Sequence, residues 1–173
     1  MKQTFTQRRD AELQRYGELI NRINPIDETW YNGCFDRYQY PILTAAHIPL
    51  DWRYDFDETS NPFFMERLGI NAVFNAGAIE LDGKICLLCR IEGYDRKSFF
   101  AVAESENGID RFRFHDEPIR IPQTGEFDVN VYDMRLVKHA DGWIYGLFCS
   151  ERKDPAAKPG DTSSAVAAFS KSG

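Results

Sequence analysis

An all-β fold preceded by a single helix is what the sequence predicts, and three observations carry that expectation. From residue 71 onward, short apolar runs (NAVFNAGAIEL, KICLLCRIEG, SFFAVAES and FRF) are separated by turn formers at Asp82-Gly83, GYDRK and Glu106-Asn107-Gly108. A second such cycle begins at Val129, and its Asp141-Gly142 turn falls 59 residues after Asp82-Gly83. Both turns lead into a strongly apolar run, ICLLC and WIYGLFC. Repeated four-stranded units are the signature of a β-propeller, in which each blade buries its faces against its neighbours. A two-sheet sandwich has a similar strand count and stays open at this level.

Taken in order, residues 5–23 read as an amphipathic helix, with Leu13, Tyr16, Ile20 and Ile23 on one face and Asn24-Pro25 as the stop. This divides the chain into a helical extension, 1–24, and a β body, 25–173. From 25 to 70 the chain is rich in Pro, Asp and aromatic residues with few periodic apolar positions, so irregular loop is expected. Strands are then expected near 72–80, 84–92, 98–105, 130–138 and 142–150, with a short fourth strand at FRF. The last run, SSAVAAFSKSG, reads as a third strand of the second unit. A propeller ring has about four to eight blades, so this chain is expected to be a truncated part of one, about one blade and most of another. An incomplete ring leaves a blade face uncovered, which implies exposed apolar surface and self-association.

A formal net charge of −6, with no basic run, argues against nucleic acid as a partner. No opening signal peptide and no run long enough for a membrane span is visible, so a cytoplasmic protein without a membrane partner is expected. Of the four cysteines, Cys34, Cys86, Cys89 and Cys149, the pair three apart would face opposite sides of a strand. That is a poor chelate, and buried free thiols are the expectation, with no metal site.

The densest chemistry lies in Tyr132-Asp133-Met134-Arg135. At a period of two, Asp133 and Arg135 share one side of a strand, which reads either as an ion pair on an edge strand or as a catalytic acid with its neighbours tuning its charge. Asn75 in FNAGA sits among small residues that let a ligand approach the backbone, or that merely ease strand packing. Arg90, Glu92, Asp95, Arg96 and Lys97 cluster in RIEGYDRKS, either as a solvated loop or as a site for a polar ligand. Arg152 follows an apolar strand, where a guanidinium can meet an oxyanion. No nucleophile elbow, P-loop or zinc-protease motif is present, and the three histidines are scattered. Acid and Arg chemistry among many aromatic rings points to carbohydrate.

The segments YPILTAAHIPLDWRYD, NPFFMERLGINAVFNAGAIELDGK, RIEGYDRKSFFAVAESENGID and VNVYDMRLVKHADGWIYGLFCSERKDPAAKPGDTSSAVA resemble the members of glycoside hydrolase family 130 that phosphorolyse mannosylglucose. The resemblance runs from about residue 38 to 167. It implies a five-bladed β-propeller with a central active site. It also implies inverting, reversible phosphorolysis of 4-O-β-D-mannosyl-D-glucose to α-D-mannose 1-phosphate and D-glucose. Inorganic phosphate is then the co-substrate, no further cofactor is needed, and the whole enzyme is a homo-oligomer. By resemblance, Asp133 of NVYDMR matches the family's acid, with its proton passing through the mannose 3-hydroxyl, and Arg152 of CSERKDP matches a phosphate ligand. Asn75, Arg90, Asp95, Arg96 and Lys97 fall in blocks that line the family's sugar and phosphate cavity. Family members are about twice as long, and their later blades carry further ligands. Two other readings stay open: a β-mannoside hydrolase of the same fold, and a catalytically inactive sugar-binding fragment.

Overall fold

The computed structural model describes residues 3–122 and 128–152 in full, and residues 153 and 162–170 by their backbone. Helix α1 (Phe5–Ile20) is followed by a hairpin of β1 (Ile26–Tyr31) and β2 (Asp36–Tyr38), a 3-10 turn at Ala45–His47, and a short α2 (Leu50–Arg53). A four-stranded antiparallel sheet then runs in sequence order through β3 (Ile70–Leu81), β4 (Lys84–Gly93), β5 (Ser98–Ser105) and β6 (Arg113–Phe114). A second antiparallel sheet holds β7 (Asp128–Lys138), β8 (Ile144–Lys153) and β9 (Thr162–Ser170). The expected strands are present within a few residues of their expected ends. The final run is a strand through Ser170, and residues 171–173 lie outside the described residues.

Both sheets are meanders because their connections are short. At Asp82-Gly83 both residues have positive φ, +50° and +78°, the twist that a two-residue hairpin needs. The Asp141-Gly142 turn closes differently: the Asp141 carboxylate accepts from Trp143 N at 2.9 Å, and only Gly142 has positive φ. Two apolar cores result. The first lies within the four-stranded sheet and against the preceding segment, with Ile48, Cys89, Ile91, Ala101 and Phe112 fully buried. The second lies between the two sheets, where Leu88, Phe100, Val131, Met134 and Phe148 meet. There Phe100 packs edge-to-face on Phe148 at 5.4 Å. Each such side chain removed from water contributes about 1.5–3 kcal/mol, so this seam fixes the sheets against one another. Beside it runs an apolar groove of about 440 Å³ lined by Leu88, Val102, Ile121, Met134 and Leu136.

Cys86 borders that groove while Cys89 sits in the first core, so residues three apart do face opposite sides. Both are free and buried, and burial pushes the Cys89 thiol up to about 12. Cys34 is exposed and Cys149 half-buried, unlike the buried thiols expected for all four.

The N-terminal region departs from expectation in two ways. Helix α1 ends at Ile20, with Thr4 and Gln7 forming a capping box at its start. It lies on the body through Phe5, edge-to-face on Phe64 at 5.4 Å, and through Tyr16, whereas Leu13 and Ile23 are exposed. Phe5 at the first turn, outside the four-residue stripe, is the anchor. Residues 25–70 also contain the β1–β2 hairpin and the helical turns. The hairpin is mostly exposed, so it leaves no apolar alternation to read. Asn32-Gly33 marks its turn: Asn32 Oδ1 accepts from Cys34 N and Phe35 N, and Gly33 has φ +84°.

Candidate active site

The site forms where β3 meets β7. Each of these strands carries an interruption at the same place in its sheet. Phe74 pairs with Arg90 and Gly77 with Leu88, so Asn75 and Ala76 oppose the single residue Cys89. Likewise Tyr132 pairs with Cys149 and Arg135 with Leu147, so Asp133 and Met134 oppose Phe148 alone. These are β-bulges, and their first residues, Asn75 at φ +36° and Asp133 at φ +53°, adopt the left-handed conformation. Asn and Asp tolerate it best, and each such residue costs about 1–3 kcal/mol in strain. Strain held at matching positions in both sheets marks the place where side chains are re-aimed for use.

The bulge overturns one expectation. An extra residue breaks the period of two, so Asp133 and Arg135 do not pair. Arg135 instead donates to the Asn75 carbonyl at 2.8 Å, tying β7 to β3, and no ion pair joins it to Asp133 among the described residues. The cation beside Asp133 is Arg90, with Nη1 3.4 Å from Oδ1. Asp133 stays 38% exposed, open to a ligand, while the Arg90 side chain is 14% exposed.

Arg90 is held on every side. Its Nε donates to Ser98 Oγ at 2.9 Å and its Nη2 to Glu92 at 3.0 Å. Its guanidinium carbon lies 5.1 Å from the centre of the Phe74 ring and 4.4 Å from that of Tyr132. Those rings are the residues just before the two bulges, so the same backbone irregularity that presents Asn75 and Asp133 also cages the cation. Glu92 is saturated in turn, accepting from Asn71 at 2.6 Å and Arg96 at 3.0 Å. Those hydrogen bonds, Asn71 first, hold its carboxyl below the usual range.

Asn75, Asp133 and Arg90 are thus brought together, with Arg96 one carboxylate away. Asp95 and Lys97 lie on the exposed β4–β5 turn, where Asp95 Oδ1 accepts from Lys97 N at 3.0 Å. Arg152 stands at the far end of β8, its Nε donating to Asp128 at 2.9 Å. Two residues outside the expected set complete the arrangement. Buried Asn130 donates to the Arg96 carbonyl and to the Tyr132 hydroxyl, both at 3.0 Å, and accepts from Ser98 N, pinning the β4–β5 turn to β7. The Tyr132 hydroxyl donates to Glu151, and that bond, with burial, raises the phenol above its ordinary range. Their signal in the sequence is alternation alone: Asn130 and Tyr132 are polar-tipped residues in an apolar run.

No family model matches the chain. Over 149 residues, 86% of its length, it is 58% identical to the 4-O-β-D-mannosyl-D-glucose phosphorylase of Bacteroides fragilis. The chain is similar to that mannosylglucose phosphorylase over most of its own length. It spans 38% of that relative's length. Among solved structures, a glycosyl hydrolase from Bacteroides ovatus matches with a TM-score of 0.54 and 20% identity, over 86% of this chain and 40% of that one. A structure from work on the GH130 family of mannoside phosphorylases, and on its glycoside hydrolases that target β-1,2 mannosidic linkages in Candida mannan, matches with a TM-score of 0.53. Its identity is 20%, over 85% of this chain and 41% of the other. These likenesses show the fold, that of the family 130 β-propellers. It is present among the described residues as one four-stranded blade and three strands of a second, with no closed ring.

Proposed function

We propose that this protein is a glycoside phosphorylase that transfers a mannosyl group from 4-O-β-D-mannosyl-D-glucose to inorganic phosphate, giving α-D-mannose 1-phosphate and D-glucose. The observation that carries the reading is the Asp133 bulge: a part-exposed carboxyl strained out of its strand beside a caged guanidinium, in a chain 58% identical to an enzyme named for this reaction. In this reading Asp133 gives a proton to the mannose 3-hydroxyl, which passes its own to the glycosidic oxygen as the bond from that oxygen to the mannose anomeric carbon breaks. A phosphate oxygen forms its bond to the same carbon from the opposite face. Phosphate is already an anion, so it needs positioning by cations and no base to activate it. Arg152, aimed by Asp128, and the exposed Arg96 are the cations we assign to it; Asn75, presented on the neighbouring bulge, meets the sugar. Asp95 and Lys97 are assigned to the rim.

We assign catalysis to residues 25–173, with 1–24 an extension, and read the protein as cytoplasmic because its four cysteines are free. The test is to incubate purified protein with mannosylglucose, with and without phosphate, and follow mannose 1-phosphate by ³¹P NMR. Product that requires phosphate is expected. Free mannose formed without phosphate would make it a β-mannoside hydrolase, and no turnover with retained sugar binding would make it a sugar-binding fragment.

A further inference from the structure

Among the described residues Tyr94 is the most exposed large aromatic side chain, at 71%, yet its ring is seated. A Cβ placed on Gly69 would fall against Cδ2 and Cε2 of that ring and 2.8 Å from its Cγ. A point so near to three consecutive ring atoms lies over the ring's face, since an approach within the ring plane would leave Cγ much farther off than the other two. Gly69 has no positive φ, so no turn requires glycine there. Its missing side chain instead makes a floor on which Tyr94 lies flat. Backbone bonds fix the arrangement: Tyr94 N donates to the Gly69 carbonyl at 3.0 Å, Gly93 N to the Lys97 carbonyl at 2.9 Å, and Arg96 N to the Gly93 carbonyl at 3.0 Å. One face of the ring is therefore taken by Gly69 and the other meets solvent. Among the described residues no second ring or guanidinium covers it, and its hydroxyl has no hydrogen-bond partner.

A flat, immobilised ring with one open face suits a pyranose. The sugar presents C–H groups on one of its faces, the aromatic face carries partial negative charge, and stacking removes both from water. A phosphate has no apolar face to offer, so the platform is no part of an anion site. Its place in the fold ties it to the candidate acid. Tyr94 lies between Glu92 and Arg96, which hold each other at 3.0 Å, and Glu92 leads through Arg90 to Asp133. Asp95 and Lys97, next along the same exposed turn, bring a carboxylate and an ammonium within reach of sugar hydroxyls. Asn75 and Asp133 stand on bulges inside the strands, where the mannose is assigned, so the sugar on the other side of the glycosidic oxygen faces the turn. We propose that Tyr94, seated on Gly69, is the platform on which the glucose unit stacks, and so a residue that determines specificity for the leaving sugar.

The naming of glucose rests on the proposed phosphorolysis, but the stacking has a test of its own. The Tyr94 ring resonances, assigned in ¹H–¹³C spectra from Tyr94→Phe, are followed while glucose, and then mannosylglucose, is titrated into the protein. Saturable movement of those resonances is expected, and a ring that neither sugar moves overturns the proposal. The kinetic arm is the reverse reaction, glucose with α-D-mannose 1-phosphate, read as phosphate release. Tyr94→Ala is expected to raise the KM for glucose about three- to tenfold and to leave that for mannose 1-phosphate near the parental value. Tyr94→Phe keeps the ring and should stay close to the parent. Gly69→Ala keeps Tyr94 but pushes its ring off the seat; so exposed a side chain can swing aside without cost to the fold, and the glucose KM should rise as in Tyr94→Ala. An unchanged glucose KM in Tyr94→Ala, or equal losses for both substrates, overturns the proposal. A ring that moves with sugar in a protein that leaves mannosylglucose uncut would cost the functional reading and not this one.

Discussion

Gly77 is a point of close approach between the two sheets beside the site, and Gly77→Ala tests whether that approach is needed. A Cβ there would lie 2.5 Å from the Met134 carbonyl oxygen and 3.3 Å from Arg135 Cα. Both are backbone atoms of the strand that carries Asp133, so no side chain can rotate away. Overpacking of this kind costs about 1–3 kcal/mol. Against it stands the smaller conformational freedom of Ala in the unfolded chain, about 0.4–1 kcal/mol. The net expectation is a loss of about 1–2 kcal/mol. With a urea dependence of about 1–3 kcal/mol per M, the unfolding midpoint should fall by about 0.5–1 M. Displacing β3 from β7 also stretches the 2.8 Å bond from Arg135 to the Asn75 carbonyl, so activity should fall further than stability explains. Gly17→Ala is the control: nothing lies within 4 Å of its Cβ on α1, and helix propensity should stabilise by about 0.5–1 kcal/mol. A Gly77→Ala midpoint equal to or above that of the parent would refute the close-approach argument.

His47 is buried and accepts from Thr44 N, and burial first, then the charge of Arg22, takes it from 6.5 down to about 4. The unfolded state therefore binds its proton first, so stability is full above pH 6.5 and falls between there and about pH 4, by about 2–3 kcal/mol. Urea melts at pH 7.5 and 4.5 should show this slope, and His47→Asn should flatten it. Arg152→Ala should raise the KM for phosphate and slow turnover through loss of a charge-assisted contact of about 1.5–3 kcal/mol, with Arg152→Lys restoring only part. Unchanged phosphate dependence would make Arg152 a scaffold for Asp128. Leu147 occupies the place in β8 that Leu88 occupies in β4, yet it is 51% exposed where Leu88 is 7%. Leu147→Gln should therefore reduce the self-associated fraction in sedimentation velocity, and a monomeric parent would count against an uncovered face.

The meanders were legible because hairpin chemistry and apolar alternation are local. Asp82-Gly83 and the runs around it determine their own geometry, and so does Asp141-Gly142. The bulges were not legible, since an insertion of one residue shows only in what lies across the strand. Asp133 could be singled out from its neighbours in the sequence, but its partner was misplaced: period-two counting gives Arg135, and the bulge gives Arg90, 43 positions away. The exposed β1–β2 hairpin escaped for the opposite reason. It buries too little to leave a pattern, and only Asn32-Gly33 announces it. Phe5 was overlooked as the anchor of α1 because its pocket is built by Phe64, far along the chain.

The central claim is that Asp133 is the acid of a phosphorolytic cleavage, and Asp133→Asn tests it most directly. The substitution keeps size and removes the proton. Turnover of mannosylglucose with phosphate should drop by about 10²–10⁴-fold, while a mannoside with a good leaving group, needing less protonation, should lose much less. Equal losses on both substrates would indicate a binding or structural role, and near-parental turnover of mannosylglucose would contradict the assignment.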